Sequence, residues 1–154
     1  MRTINLLQPP KIAFGSGCIT QCVDDILALN FHRVFIVTSS PILGLVEPLA
    51  NKLRQAGATV EIHAEIDVEP TITTFEQTLA EAQTTDPEVV IGFGGGSPMD
   101  VAKLVAALHN NSQTLQDIFG IRLLKSRQTH LVCLPTTSGT GSEVSPNAIL
   151  MDEA

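Results

Sequence analysis

The sequence has 154 residues, of which 44% are hydrophobic and 16% charged, with no Trp or Tyr. That balance fits one globular domain with a proper core and excludes a disordered chain. Nine Lys and Arg against sixteen Asp and Glu leave a net charge of −7, which argues against nucleic acid or an anionic membrane as partner.

The chain begins MRTINLLQPPK, which lacks the long apolar core of a signal peptide, and no apolar stretch approaches the roughly 20 residues of a membrane span. After the Pro9-Pro10 break, Lys11 to Phe14 reads as a short first strand. Cys18 to Leu29 carries apolar residues at helical spacing (Ile19, Val23, Ile26, Leu27) and predicts a helix. Arg33 to Val37, RVFIV, is a β-branched run expected as a buried parallel strand, broken by Thr38-Ser39-Ser40-Pro41. A helix is expected from about Val46 to Ala56, with Gly57 past its end. Thr59 to His63 is the next strand. Thr73 can cap the following helix, with Glu76 completing a capping box and Asp86-Pro87 ending it. Val89 to Ile91 is a buried strand, and a helix starts near Ser97 and continues through Leu108. Leu115 to Ile121 reads as a connector, and Thr129 to Leu134 as a last strand. Strands alternating with helices imply a parallel sheet with helices on both faces, whose ligands bind beyond the carboxyl ends of the strands.

Three cysteines, Cys18, Cys22 and Cys133, form no paired framework, which fits a reducing cytosol, so a cytoplasmic protein is expected. Cys18 and Cys22 lie one helical turn apart. A metal face there is conceivable, but buried apolar thiols are the better reading without a His at matching spacing. His32, His63, His109 and His130 form neither H-x-x-x-H nor H-E-x-x-H, so no metal ligand is expected in this chain.

Chemistry concentrates in two stretches. The first is Val89 to His109, VVIGFGGGSPMDVAKLVAALH. Four glycines in five positions, Gly92, Gly94, Gly95 and Gly96, exceed what a tight turn requires. Ser97 suits the N-cap, Pro98 the first helical position and Asp100 the third. A strand, a glycine turn and a helix start present free N–H groups and partial positive charge to an anion. The bland alternative is that the glycines only allow close helix–strand packing. The dinucleotide fingerprint G-x-G-x-x-G fails, with Ser97 or Met99 where the third glycine should be, and the P-loop fails at Ala102 before Lys103. Lys103 reads equally as an i,i+3 partner of Asp100 or as a cofactor contact. The second stretch is Pro135 to Val144, PTTSGTGSEV, whose hydroxyls and glycines suit the ribose and phosphates of a nucleotide. A serine hydrolase does not fit, because the nucleophile elbow is absent and no His follows.

Together, Gly94 to Lys103 and Pro135 to Val144 resemble the GGGSxxDxAK and PTTxGTGSEV signatures of the iron-containing (group III) alcohol dehydrogenases. Phe14-Gly15-Ser16-Gly17 and Asp67-Val68-Glu69-Pro70-Thr71 agree with this. The resemblance implies a Rossmann-like, mostly parallel α/β sheet with helices on both faces, of the dehydroquinate synthase-like N-terminal type. It makes residues 1–154 an NAD(P)-binding domain that lacks the helical metal-binding domain of the family. It also implies hydride transfer between NAD or NADP and a small alcohol or aldehyde in the full-length protein, as a homo-oligomer. By motif position, Gly95, Gly96, Ser97, Asp100, Thr136, Thr137, Thr140 and Ser145 become cofactor-binding candidates. The family usually has Thr where Ser145 stands.

In the resembled family the iron is held by one Asp and three His of the helical domain, and this sequence ends at Ala154 before them. The chain alone is therefore expected to be inactive, with no catalytic residue of its own; the resemblance gives Glu143 a structural role. The alternative is a stand-alone nucleotide-binding or interaction module without catalysis. Many family members carry Asp directly after the strand matching RVFIV; here that position is Ser39. Loss of the carboxylate removes a repulsion toward the 2′-phosphate, and the Ser39 and Ser40 hydroxyls could donate to it. Tolerance of NADP(H) at least equal to that of NAD(H) is the expectation.

Overall fold

The structure is a computed structural model describing residues 8–153. Four strands, β1 (Arg33–Val37), β2 (Thr59–His63), β3 (Val89–Gly94) and β4 (His130–Pro135), form one sheet in the order β2-β1-β3-β4. All three pairings are parallel, with Val34 opposite Val60 and Val89, and Ile91 opposite Val132. The helices are α1 (Ile19–Ala28), α2 (Leu43–Gln55), α3 (Ile72–Thr85) and α4 (Gly96–Leu108).

The alternation along β1 and β3 explains the layers. Val34, Ile36, Val89, Ile91 and Phe93 pack with Val23 and Ile26 of α1 and Val46, Leu49 and Leu53 of α2. Phe35, Val37 and Val90 face the other way, onto Phe75 of α3 and Val101 and Val105 of α4. A parallel strand buried on both faces needs a continuous apolar run, and RVFIV and VVIGF supply it. Each fully buried large side chain contributes about 1.5–3 kcal/mol. Successive connections leave β1 in opposite directions, so a crevice opens between the carboxyl ends of β1 and β3.

Four expectations need correction. Lys11 to Phe14 is not a strand: among the described residues it pairs with no other segment of the sheet, and Ile12 and Phe14 are exposed. This segment is tied down instead by Lys11, whose Nζ reaches Asp25 Oδ2 at 2.6 Å. Helix α2 starts three residues before Val46, preceded by a 3-10 turn over Ser40–Ile42, and takes Pro48 inside it. Helix α3 is capped by Thr71, not Thr73. The Thr71 hydroxyl accepts from Thr74 N at 3.1 Å, and the helix stops where Asp86 turns left-handed at φ +45°. Helix α4 begins at Gly96 with Gly95 as its cap residue, so Ser97 and Pro98 sit inside the first turn and the expected Ser97–Asp100 capping box does not form. Gly57, at φ +93°, follows the end of α2 as expected.

Candidate functional site: a cleft between the glycine turn and the second motif

Gly92 and Gly94 build the turn by packing. A Cβ on Gly92 would stand 2.8 Å from Ala102 Cβ and 2.9 Å from Met99 Cα, so its absence lets α4 press onto β3. Gly94, at φ +147°, turns the chain out of the sheet. Gly95 and Gly96 need no left-handed backbone. A Cβ on Gly95 would meet only Thr137, at 3.7 Å, whereas one on Gly96 would crowd Thr140 Cγ2 at 3.1 Å. No side chain caps α4. The N–H groups of Gly96 and Ser97, in the first turn, therefore lack intrahelical partners, at the positive end of the helix.

The second motif is tied across this turn. Thr136 N donates to Gly94 O at 2.9 Å. Beyond it, Gly139 (φ +152°) and Gly141 (φ +63°) allow the loop to fold back, and Ser145 N donates to Gly141 O at 3.0 Å. A partly buried cluster then holds the loop on α4. Lys103 Nζ donates to Ser142 Oγ (2.6 Å), Asn147 O (2.7 Å) and Asp100 Oδ1 (3.0 Å). Ser142 Oγ donates to Asp100 Oδ1 at 2.6 Å, and Ile149 N to Asp100 Oδ2 at 3.2 Å. Lys103 and Asp100 side chains are only 10% and 14% exposed. The segment goes on to pair with the approach to α3, Met151 N donating to Pro70 O (2.9 Å) and Ile72 N to Met151 O (3.2 Å).

These ties form one wall of an open cleft of about 490 Å³. Five predicted residues line it: Gly96, Ser97, Asp100, Thr140 and Ser145. Gly95, Thr136 and Thr137 stand beside it on the same rim without lining it, and Ser39 lies further off at the end of β1, bridged to Glu65. Asp100 borders the cleft, yet both carboxylate oxygens are occupied by the loop, so its evident work is positioning. Lys103 resolves toward the ion pair rather than an open cofactor contact. Glu69, Pro70, Ser142, Asn147 and Ile149 also line the cleft and were not singled out. Ser142 lies within the hydroxyl-rich motif and Glu69 within a noted stretch. Asn147 and Ile149 arrive through the pairing at Met151, which no local pattern announces.

Among the described residues no three His, Cys, Asp and Glu side chains gather as a metal-holding group. Burial pushes the Cys22 and Cys133 thiols up to about 11, the nearby Asp25 adding to the effect at Cys22, so both are poor ligands or nucleophiles. Among the described residues no helix is long and apolar enough to cross a membrane.

A parallel α/β domain with an uncapped glycine turn at its switch point has the form in which such folds present backbone N–H groups to an anion. The model of the iron-containing alcohol dehydrogenases matches residues 9–154, and the chain belongs to that family. It is 33% identical over 144 residues to the sulfoacetaldehyde reductase of Bilophila wadsworthia, covering 92% of this chain and 37% of that protein. The alcohol dehydrogenase from Oenococcus oeni superposes with a TM-score of 0.92 at 25% identity, over 99% of this chain and 41% of that one. NADH-dependent butanol dehydrogenase A from Thermotoga maritima gives 0.86 at 26% identity, over 99% and 39%. The chain thus spans about two fifths of the length of these relatives and matches their N-terminal domain.

Proposed function

We propose that this chain binds NAD or NADP in the cleft and serves hydride transfer between the nicotinamide and a small alcohol or aldehyde. The observation that carries the reading is the uncapped start of α4, which opens into a cleft walled by the second motif. Free N–H groups at Gly96 and Ser97 suit a pyrophosphate, and Gly95 lets it approach the main chain. The Ser97, Thr140 and Ser145 hydroxyls suit the sugar and amide groups, with Thr136 and Thr137 at the rim and Ser39 toward the adenosine end. Asp100 and Lys103 hold the wall in place. When bound, the dinucleotide supplies the hydride acceptor or donor; the residues here bind and orient it.

The described residues do not fit an iron site, so no step through iron is assigned to them. On this reading the ferrous ion belongs to residues outside this chain, which alone turns over no alcohol. Three free cysteines suit a cytoplasmic protein. The acidic balance speaks against nucleic acid or an anionic membrane, and exposed apolar residues near the cleft suit a homo-oligomer.

The test is calorimetric titration of the chain with NADH and with NADPH, beside assays with and without ferrous iron. Saturable one-site binding without turnover is expected. Absence of binding by a folded chain would overturn the cofactor assignment, and iron-dependent turnover would overturn the placement of the metal.

A further inference from the structure

The glycine turn follows β3, and β1 is its neighbour on the side away from β4. In dinucleotide folds the strand beside the glycine strand ends at the ribose of the adenosine half, where a carboxylate reads the 2′-hydroxyl. Here that place carries Ser39, and the sequence alone suggests a site open to a 2′-phosphate. The structure alters both halves of that argument. Ser40 donates its backbone N–H to Asp67 Oδ1 at 2.8 Å and its hydroxyl to Asp67 Oδ2 at 2.6 Å. The Ser40 hydroxyl is therefore spent, and a carboxylate stands one residue from Ser39.

We infer that Asp67, carried in from the segment after β2, takes the place of the missing acid at the end of β1 and sets the preference for NAD(H) over NADP(H). This rests on the cofactor reading above. Asp67 is fixed through both oxygens, so its charge has a defined position. It is flanked by Glu65, bridged to Ser39, and by Glu69, which lines the cleft. No counter-charge comes from the chain around it: there is no Lys or Arg from Val34 to Asn51, nor from Gln55 to Ala102. Arg33 lies at the opposite end of β1, engaged with Asp86 and Glu88, and Lys103 is committed to Asp100 and the second motif. A 2′-phosphate would meet these carboxylates, while a 2′-hydroxyl can donate to one.

The experiment measures dissociation constants of NADH and NADPH for the chain and for Asp67→Asn. The amide oxygen of Asn still accepts from Ser40 N, so the turn keeps its shape while the charge goes. Wild type should bind NADH at least tenfold tighter, and Asp67→Asn should recover about tenfold in NADPH affinity while NADH changes by less than about threefold. A wild-type measurement covers the case of a misfolded variant. The NADPH penalty should shrink as salt rises from about 20 to about 500 mM, because like-charge repulsion near the surface is screened. Equal binding of the two dinucleotides by wild type, a penalty indifferent to salt, or an unchanged ratio in folded Asp67→Asn overturns the inference and leaves the cofactor reading standing. Binding of neither dinucleotide overturns both.

Discussion

Lys103 Nζ lies 2.6 Å from Ser142 Oγ, joining α4 to a loop residue 39 positions away, and both groups converge on Asp100 Oδ1. The wall of the cleft thus hangs on one largely buried ion pair. Removing one partner of such a pair strands the other charge, whereas removing both is far cheaper. Lys103→Met should lose about 3 kcal/mol of stability in urea unfolding. Lys103→Met with Asp100→Leu should lose clearly less than the sum of the two single changes. Strict additivity in the double-mutant cycle would show that the pair is not coupled.

Gly92 and Gly44 make opposite predictions for the same substitution. Gly92→Ala forces a methyl to within 2.8 Å of Ala102 Cβ, and should cost about 1–3 kcal/mol by prising α4 off β3. Gly44 lies in α2 with nothing within 4 Å of an added Cβ, so Gly44→Ala should stabilise by about 0.4–1 kcal/mol. Thermal melts of the two variants should move in opposite directions.

Within the turn, the two valine substitutions should separate. A Cβ added at Gly95 meets no atom closer than Thr137, at 3.7 Å, so Gly95→Val should keep the melting temperature of the domain and lose dinucleotide binding. Gly96→Val pushes on Thr140 at 3.1 Å and should lower both stability and binding. Unchanged affinity in folded Gly95→Val, measured by calorimetry, would mean that the turn serves packing alone.

His109 is buried behind Thr129, its Nδ1 2.7 Å from Thr129 Oγ1. Burial holds it below its ordinary 6.5, with the Asp86 carboxylate pulling upward and Arg33 downward. His130 is lowered by burial and then by Arg127. The folded chain therefore binds fewer protons than the unfolded one just below pH 6.5, and stability should fall as the pH falls through that point. Glu88, lowered mainly by the His32 backbone N–H against an ordinary 4.5, adds its loss only in more acid solution. Urea midpoints at several pH values should decline from neutral pH downward, and His109→Asn should flatten the slope. A slope identical to wild type would exclude His109 as its source.

Ile149 and Met151 are 66% and 45% exposed on the segment that borders the cleft. Apolar side chains grouped beside a binding site invite association. Light scattering should show a rising mass with concentration, reduced by Ile149→Glu. A monodisperse monomer throughout would contradict this.

The two central strands, β1 and β3, were legible because a parallel strand covered on both faces must be apolar along its buried length, as Val34 to Val37 and Val89 to Phe93 are. The helix starts were less so. Thr71 and Thr73 are equally good caps locally, and only the burial of Phe75 and Thr78 selects the earlier one. Ser97 reads as a cap by composition, but Gly95 already has the extended backbone that the position needs. At the site, the two motifs announced the glycine turn and the hydroxyl loop. They could not announce that Asp100 would be used up by its neighbours, nor that Asp67 would restore a carboxylate beside Ser39. Both facts depend on residues distant in sequence meeting at one rim.

The strip from Thr136 to Met151 is anchored at three points, on Gly94, on Asp100 with Lys103, and on Pro70 with Ile72. It resembles a strap buckled at both ends more than a door. The entropy of ordering it is lost when the chain folds, so an incoming ligand meets a wall that already stands. Association at such a preformed cavity should follow simple one-step kinetics, its rate set by diffusion and charge rather than by a conformational opening.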